Sequence, residues 1–196
     1  VRGVEKAMVI ADMPFMTYNI NVEETLRNAA RFIQEAGAQA VKLEGGVTVA
    51  DKVRKLVDCG IPVMGHIGLT PQSVNQLSGY KVQGRSPETA KKLLADARAL
   101  EAAGAFAIVL ETMPSELSAF ISSKIGIPTI GIGAGVGCDG QVQVISDLLG
   151  LFTDFVPKHA RQYAKLADII TDAVIAYADD VKNGTFPTGQ QSFDMD

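Results

Sequence analysis

The 196-residue sequence predicts an α/β protein with a parallel sheet, a (β/α)8 TIM barrel lacking its first two βα units. Three observations carry that prediction. Short apolar runs alternate with amphipathic helical patterns along the whole chain, which is the signature of parallel strands joined by helical crossovers. The runs end in chemistry: Asp12, Lys42 with Glu44, His66, Glu111 and a glycine loop from Gly133 close five different strands. Such groups gather at the C-terminal strand ends of barrels, whereas an open doubly wound sheet concentrates its signal at one switch point. Finally, about six strand–helix units are visible where a complete barrel has eight, and the chain begins at Val1 without a Met. The expectation is that the N-terminal part of a barrel lies outside this chain.

The elements follow in order. Met8 to Ala11 reads as a strand. Asn19 or Asn21 caps the helix after it, with Glu23 and Glu24 in the first turn and Gly37 beyond its end. Ala38 to Leu43 is the second strand, Val49 to Asp58 a helix, and Ile61 to Gly65 the third strand. The connection from Ile67 to Arg85, rich in Gly, Ser, Gln and Pro, is too long for a routine loop and is read as functional. Ser86, Pro87 and Glu88 open a helix with cap, first-turn proline and acid in order. A strand from Phe106 to Leu110, a helix from Pro114, a strand from Ile127 to Ile132 and a short helix from Val144 to Leu149 come next. A weak strand candidate lies around Phe152 to Val156, and a last helix spans Gln162 to Val181. The barrel domain is thus placed at residues 1–182 and a surface tail at 183–196.

Composition narrows the function. With 47% hydrophobic and 20% charged residues the chain suits a soluble fold with a sizeable core. A net charge of -4 argues against nucleic acid and against anionic membrane surfaces, and no apolar run approaches the roughly 20 residues of a membrane span. Cys59 and Cys138 lie far apart and in no metal-ligand spacing, which fits a reduced, cytoplasmic protein.

Each polar strand end has a functional and a structural reading. Asp12 and Glu44, converging from neighbouring strand ends, repel unless a cation or proton lies between them, and oxygen-only ligation suits Mg²⁺. Alternatively Asp12 forms a turn before Pro14, and Glu44 pairs with Lys42, two residues away on the same strand face. Lys42 binds an anionic substrate, polarises a carbonyl or forms a Schiff base, or else is that salt-bridge partner. Glu111, after four apolar residues, is a candidate general base or a cap for the next helix. His66 alone reads more readily as a core histidine than as a catalyst. The Gly131, Gly133, Gly135 run is an anion-binding candidate without the dinucleotide fingerprint.

Taken together, these stretches resemble ketopantoate hydroxymethyltransferase (3-methyl-2-oxobutanoate hydroxymethyltransferase). The matching segments are Ala11-Asp12-Met13-Pro14-Phe15, Val41-Lys42-Leu43-Glu44-Gly45-Gly46, the run from Gly65 to Ser73, and Gly79-Tyr80-Lys81-Val82-Gln83-Gly84-Arg85. Leu110-Glu111, the run from Ile127 to Gly135 and Val156-Pro157-Lys158 follow in the family's order. The resemblance implies a barrel of the phosphoenolpyruvate mutase-like group, a homo-oligomer that is commonly a decamer, and transfer of a hydroxymethyl group from 5,10-methylenetetrahydrofolate to 2-oxoisovalerate, giving ketopantoate on the route to pantothenate. It implies Asp12 and Glu44 as magnesium ligands, Lys42 as a substrate-binding residue, Glu111 as the proton acceptor, and Asp12 and His66 beside the bound oxo acid. The family's earlier Gly-Asp-Ser strand, with a further magnesium ligand, has no counterpart here. Gln190-Gln191-Ser192-Phe193 also stands where the family usually has Glu-His before Ser-Phe. The alternatives are a magnesium-dependent 2-oxo acid C–C lyase or mutase that needs no folate, and a fragment that only assembles.

Overall fold

The structure is a computed structural model that describes residues 1–76 and 79–194. Leu77 and Ser78, in the expected long connection, and Met195 and Asp196, in the expected tail, lie outside the described residues. The chain divides into two compact units, Val1–Val142 and Gln143–Asp196.

The first unit carries the sheet. Its strands are β1 (Ile10–Asp12), β2 (Ala40–Glu44), β3 (Val63–Gly68), β4 (Ala107–Glu111), β5 (Thr129–Ile132) and β6 (Gly140–Gln141). All neighbours are parallel, and the spatial order β1-β2-β3-β4-β5-β6 repeats the sequence order. A sheet that never reverses its strand order is singly wound: with crossovers of one hand, every helix falls on the same face. That is the wall of a barrel, and it excludes a doubly wound sheet with its reversal point.

The helices are α1 (Val22–Gln34), α2 (Ala50–Asp58), α3 (Pro87–Ala102) and α4 (Ser115–Ser122). Asn21 caps α1, its side chain accepting the Glu24 N–H, while Asn19 instead accepts the Met16 N–H. Ser86 and Thr89 close a capping box on α3, with Pro87 in its first turn.

Side-chain alternation sorts the sheet's two faces. Val41 and Leu43, Val63 and Ile67, and Ile108 and Leu110 are buried in one core with Val53 and Leu56 of α2, Leu93 and Leu100 of α3, and Ile121 of α4. Each such fully buried aliphatic side chain contributes about 1.5–3 kcal/mol over an exposed one. At Gly65 a Cβ would meet Leu100 Cδ1 at 2.7 Å, so α3 lies hard against β3. The alternate residues, Lys42 and Glu44, His66, and Glu111, therefore share the face turned away from the helices. The register keeps them adjacent: Asp12 pairs with Lys42, Glu44 with His66, and Gly68 with Glu111.

Two expectations are corrected. His66 lies inside β3 rather than after it, because pairing with β4 continues to Gly68. The candidate strand around Phe152 to Val156 is not a strand. Its two rings, three residues apart, cannot share a strand face, and they pack edge-on at 5.4 Å. The sixth strand is the Gly140–Gln141 pair, too short and too polar to read from sequence.

The second unit holds a short helix, α5 (Ile145–Leu148), and the long α6 (Leu166–Asn183), which starts four residues later than its sequence pattern suggests. The Gln143 side chain both donates to and accepts from the Arg161 backbone, and the Tyr163 N–H donates to Leu148 O. Among the described residues no helix is long and apolar enough to cross a membrane.

Candidate active site

The ends of β1 to β4 are wired side by side. Lys42 Nζ lies 2.9 Å from Asp12 Oδ1 and 3.1 Å from His66 Nδ1. His66 Nε2 lies 3.1 Å from Glu111 Oε2 and 2.9 Å from Leu69 O. Four predicted site residues from four strands thus form one chain, Asp12–Lys42–His66–Glu111. The ion pair expected as the structural alternative, Lys42 with Glu44, does not form; Lys42 turns to the neighbouring strands instead.

The chain's chemistry fixes a tautomer. An ammonium only donates, so the Lys42 contact needs a lone pair on His66 Nδ1. The ring proton then sits on Nε2, where it is shared between Glu111 Oε2 and Leu69 O. His66 is 4% exposed, so this neutral form also avoids an imidazolium beside an ammonium away from water. The histidine serves as a hydrogen-bond donor to Glu111.

Glu111 is held from its backbone as well. The Leu69 N–H donates to Glu111 O at 2.8 Å, and a Cβ on Gly68 would sit 2.2 Å from that oxygen. Gly68, with φ 96°, is the residue that permits the approach. Thr112 follows with φ 48°, a left-handed conformation that is strained for a β-branched residue by about 1–3 kcal/mol. Two backbone bonds, Thr112 N–H to Ile132 O and Gln83 N–H to Thr112 O, hold it there. Its hydroxyl is a buried side-chain polar atom without a hydrogen bond among the described residues.

Glu44 stands apart from the chain. It is 7% exposed, and its Oε2 accepts the Gln72 N–H at 3.0 Å. Burial pushes its pKa up and the Asp12 charge adds to the rise, while the Gln72 N–H and Lys42 oppose it. Tyr18, 1% exposed, donates its O–H to Gln72 Oε1 at 2.8 Å and accepts the Glu44 N–H at 3.3 Å. Burial, chiefly, pushes its phenol up to about 12, so it remains a neutral donor. Tyr18 and Gln72 escaped the sequence reading as site residues. Gln72 stands within the specific run from Gly65 to Ser73, a signal that was available; Tyr18, in an irregular loop of mixed composition, carried none.

Among the described residues, no group of three or more His, Cys, Asp or Glu side chains is arranged to hold a metal ion. Asp12 and Glu44 nevertheless fit a hard cation. One is a half-exposed carboxylate and the other a buried one whose ionised form is costly, and Mg²⁺ takes one or two carboxylates while keeping water or substrate oxygens. A cleft of about 610 Å³ opens beside Glu44, between Gly46, Thr70, Gln83, Lys92 and Asp96. The glycine loop after β5 takes no part in the polar chain. A Cβ on Gly135 would meet Ser115 Cβ at 2.5 Å, so the loop is packed onto α4.

A parallel sheet with ionisable residues converging from four strand ends defines an enzyme of the barrel class. The likeness to a solved phosphonomutase candidate from Burkholderia cenocepacia J2315 agrees in fold, with a TM-score of 0.52 at 16% identity over 93% of this chain and 73% of that one. The sequence profile of the ketopantoate hydroxymethyltransferase family matches residues 1–189, and the chain belongs to that family. It is 70% identical to a 3-methyl-2-oxobutanoate hydroxymethyltransferase of Dehalococcoides mccartyi, covering all of this chain and 70% of that protein. The enzyme of the same name from Chloroflexus aurantiacus is 59% identical over all of this chain and 69% of its own length.

Proposed function

We propose that the chain transfers a hydroxymethyl group from 5,10-methylenetetrahydrofolate to C3 of 3-methyl-2-oxobutanoate (2-oxoisovalerate), giving ketopantoate. The observation that carries the reading is the Asp12–Lys42–His66–Glu111 chain, which joins a carboxylate base and a cation two strands apart through the histidine between them. Asp12 and Glu44 would hold Mg²⁺, whose positive charge supplies electrostatic stabilisation to the oxo acid's oxygens and so acidifies the C3–H.

The protein's own residues do the rest. Glu111 removes the C3 proton. His66 occupies its Oε2, which leaves Oε1 as the basic oxygen and fixes where it points. Lys42 offers its ammonium to the substrate's negative charge, and its bonds to Asp12 and His66 keep it extended along the site. The resulting carbon nucleophile forms the new C–C bond to the methylene carbon delivered by the folate. Both C–N bonds to that carbon break, one water supplies the hydroxyl oxygen, and tetrahydrofolate leaves with its two nitrogens protonated.

Solvent deuterium exchange at C3 of 2-oxoisovalerate, followed by proton NMR with Mg²⁺ and without folate, isolates the first step. Exchange is expected in the native chain and should fall by about 10²- to 10⁴-fold in Glu111→Gln. Undiminished exchange in that variant removes Glu111 from the base role.

A further inference from the structure

Two loops and a strand end meet at one residue for which the proposed chemistry has no use. The Gln72 side-chain N–H donates to Met13 O at 3.0 Å, in the loop after β1. Its side-chain oxygen accepts from Tyr18, further along that loop, at 2.8 Å. Its backbone N–H donates to Glu44 Oε2, at the end of β2, at 3.0 Å. Gln72 itself belongs to a single 3₁₀ turn, Pro71–Ser73, after β3. Met13, in turn, follows Asp12 directly and donates its N–H to Lys42 O at 3.0 Å.

An amide side chain satisfies this geometry, since it donates to a carbonyl and accepts from a phenol at once. An ionised carboxylate there would only accept, and an apolar side chain would do neither. The closure is cyclic: Tyr18 bonds Gln72 and the Glu44 backbone, and Gln72 bonds the Glu44 carboxylate. Glu44 is therefore gripped at its backbone and at one carboxylate oxygen through the same pair of residues. Its long side chain has lost its rotamer freedom before any ligand arrives, so binding does not bear that ordering cost.

We propose that Gln72, anchored by Tyr18, is a positioning residue that presets the Glu44 carboxylate against Asp12 for cation binding. The proposal rests on the reading of Asp12 and Glu44 as cation ligands, and its test separates the two. Tyr18→Phe removes one hydroxyl and keeps the ring; Gln72→Met removes the amide and keeps the length. Mn²⁺ binding to the full chain, measured by EPR, is the first readout. Each single variant should bind Mn²⁺ about 10- to 100-fold more weakly. The double variant should lose no more than the worse single one, because both break the same clamp. Residue-level amide hydrogen exchange without metal is the second readout. The Glu44 and Gln72 N–H groups should exchange faster in Tyr18→Phe, while amides of α3 and α4 keep their protection.

Native Mn²⁺ affinity in the folded variants overturns the proposal, and so do additive losses in the double variant. Absence of Mn²⁺ binding to the unmodified chain overturns the ligand reading. In that case unchanged exchange at Glu44 and Gln72 in Tyr18→Phe still overturns the clamp, and locally accelerated exchange upholds the gripping of Glu44.

Discussion

Strands β1–β4 and strands β5–β6 belong to one sheet and end in opposite ways. The first four carry Asp12, Lys42 with Glu44, His66 and Glu111 at or near their C-terminal ends, and these side chains are linked across strands or held by a neighbouring loop. Strand β5 finishes in Ile132 and passes into Gly133 and Gly135, both with positive φ, and β6 is two residues long. Glycine appears in both regions and does different work. Gly68 lets the backbone of β3 approach the Glu111 carbonyl, whereas Gly135 and Gly137 let a loop lie against Ser115 and Ala119 of α4. Small residues at a strand end are thus no sign of chemistry in themselves. The sign is an ionisable neighbour whose position they set.

Lys42→Met gives the largest break. It removes the cation that joins Asp12 to His66, and with it the donor that fixes the His66 tautomer. Turnover should fall by about 10²- to 10³-fold, on the scale of losing one preorganised donor, with an unchanged far-UV CD spectrum. Gln141→Leu is the counterpart at β6, where the side-chain N–H donates to Gly135 O. It should cost about 1 kcal/mol of stability by denaturant titration and leave turnover of the folded protein within twofold. A Gln141→Leu enzyme as impaired as Lys42→Met would erase the distinction between the two halves of the sheet.

The glycines test the same distinction with smaller effects. Gly68→Ala and Gly135→Ala each force a methyl into a contact of 2.2 or 2.5 Å at a positive φ. Each should destabilise by about 1–3 kcal/mol, measured as a lower denaturant midpoint. Only Gly68→Ala should also lower turnover per folded molecule, because the atom displaced is the Glu111 carbonyl oxygen. Equal specific activity in the two variants would show that the base tolerates a shifted backbone.

The periodic part of this architecture was legible in the sequence. Apolar runs placed β2 and β4 within a residue or two, and Ser86-Pro87-Glu88 marked the start of α3, because strand propensity and capping are local. The residue types of the site were legible as well, since an acid or lysine after a buried run is conspicuous. Their partners were not. Lys42 and Glu44 share a strand face, yet Lys42 reaches Asp12 and His66, a choice made by the lateral register of three strands rather than by spacing along one. Strand β6 escaped because two residues held by a neighbour's backbone carry no pattern of their own, and Tyr18 escaped because its role exists only through Gln72 and Glu44.

The smallest effect concerns the buried site carboxylate, Glu44. Burial raises the Glu44 pKa above its ordinary 4.5 in the folded chain, whereas the unfolded chain keeps the ordinary value. The folded state therefore holds that proton more tightly. Ionising Glu44 costs stability as pH rises through the raised pKa, and below 4.5 both states are protonated and the cost is absent. Glu44→Gln, neutral at every pH, should raise the melting temperature in metal-free buffer at pH 7. The two melting curves should converge below pH 4.5. Added Mg²⁺ should then stabilise the native chain and not the variant, since a cation at Glu44 offsets the cost that glutamine has already removed. A Mg²⁺ shift of equal size in both would place the cation elsewhere than at Glu44, and with it would go the contrast between a strand end built for a ligand and one built for packing.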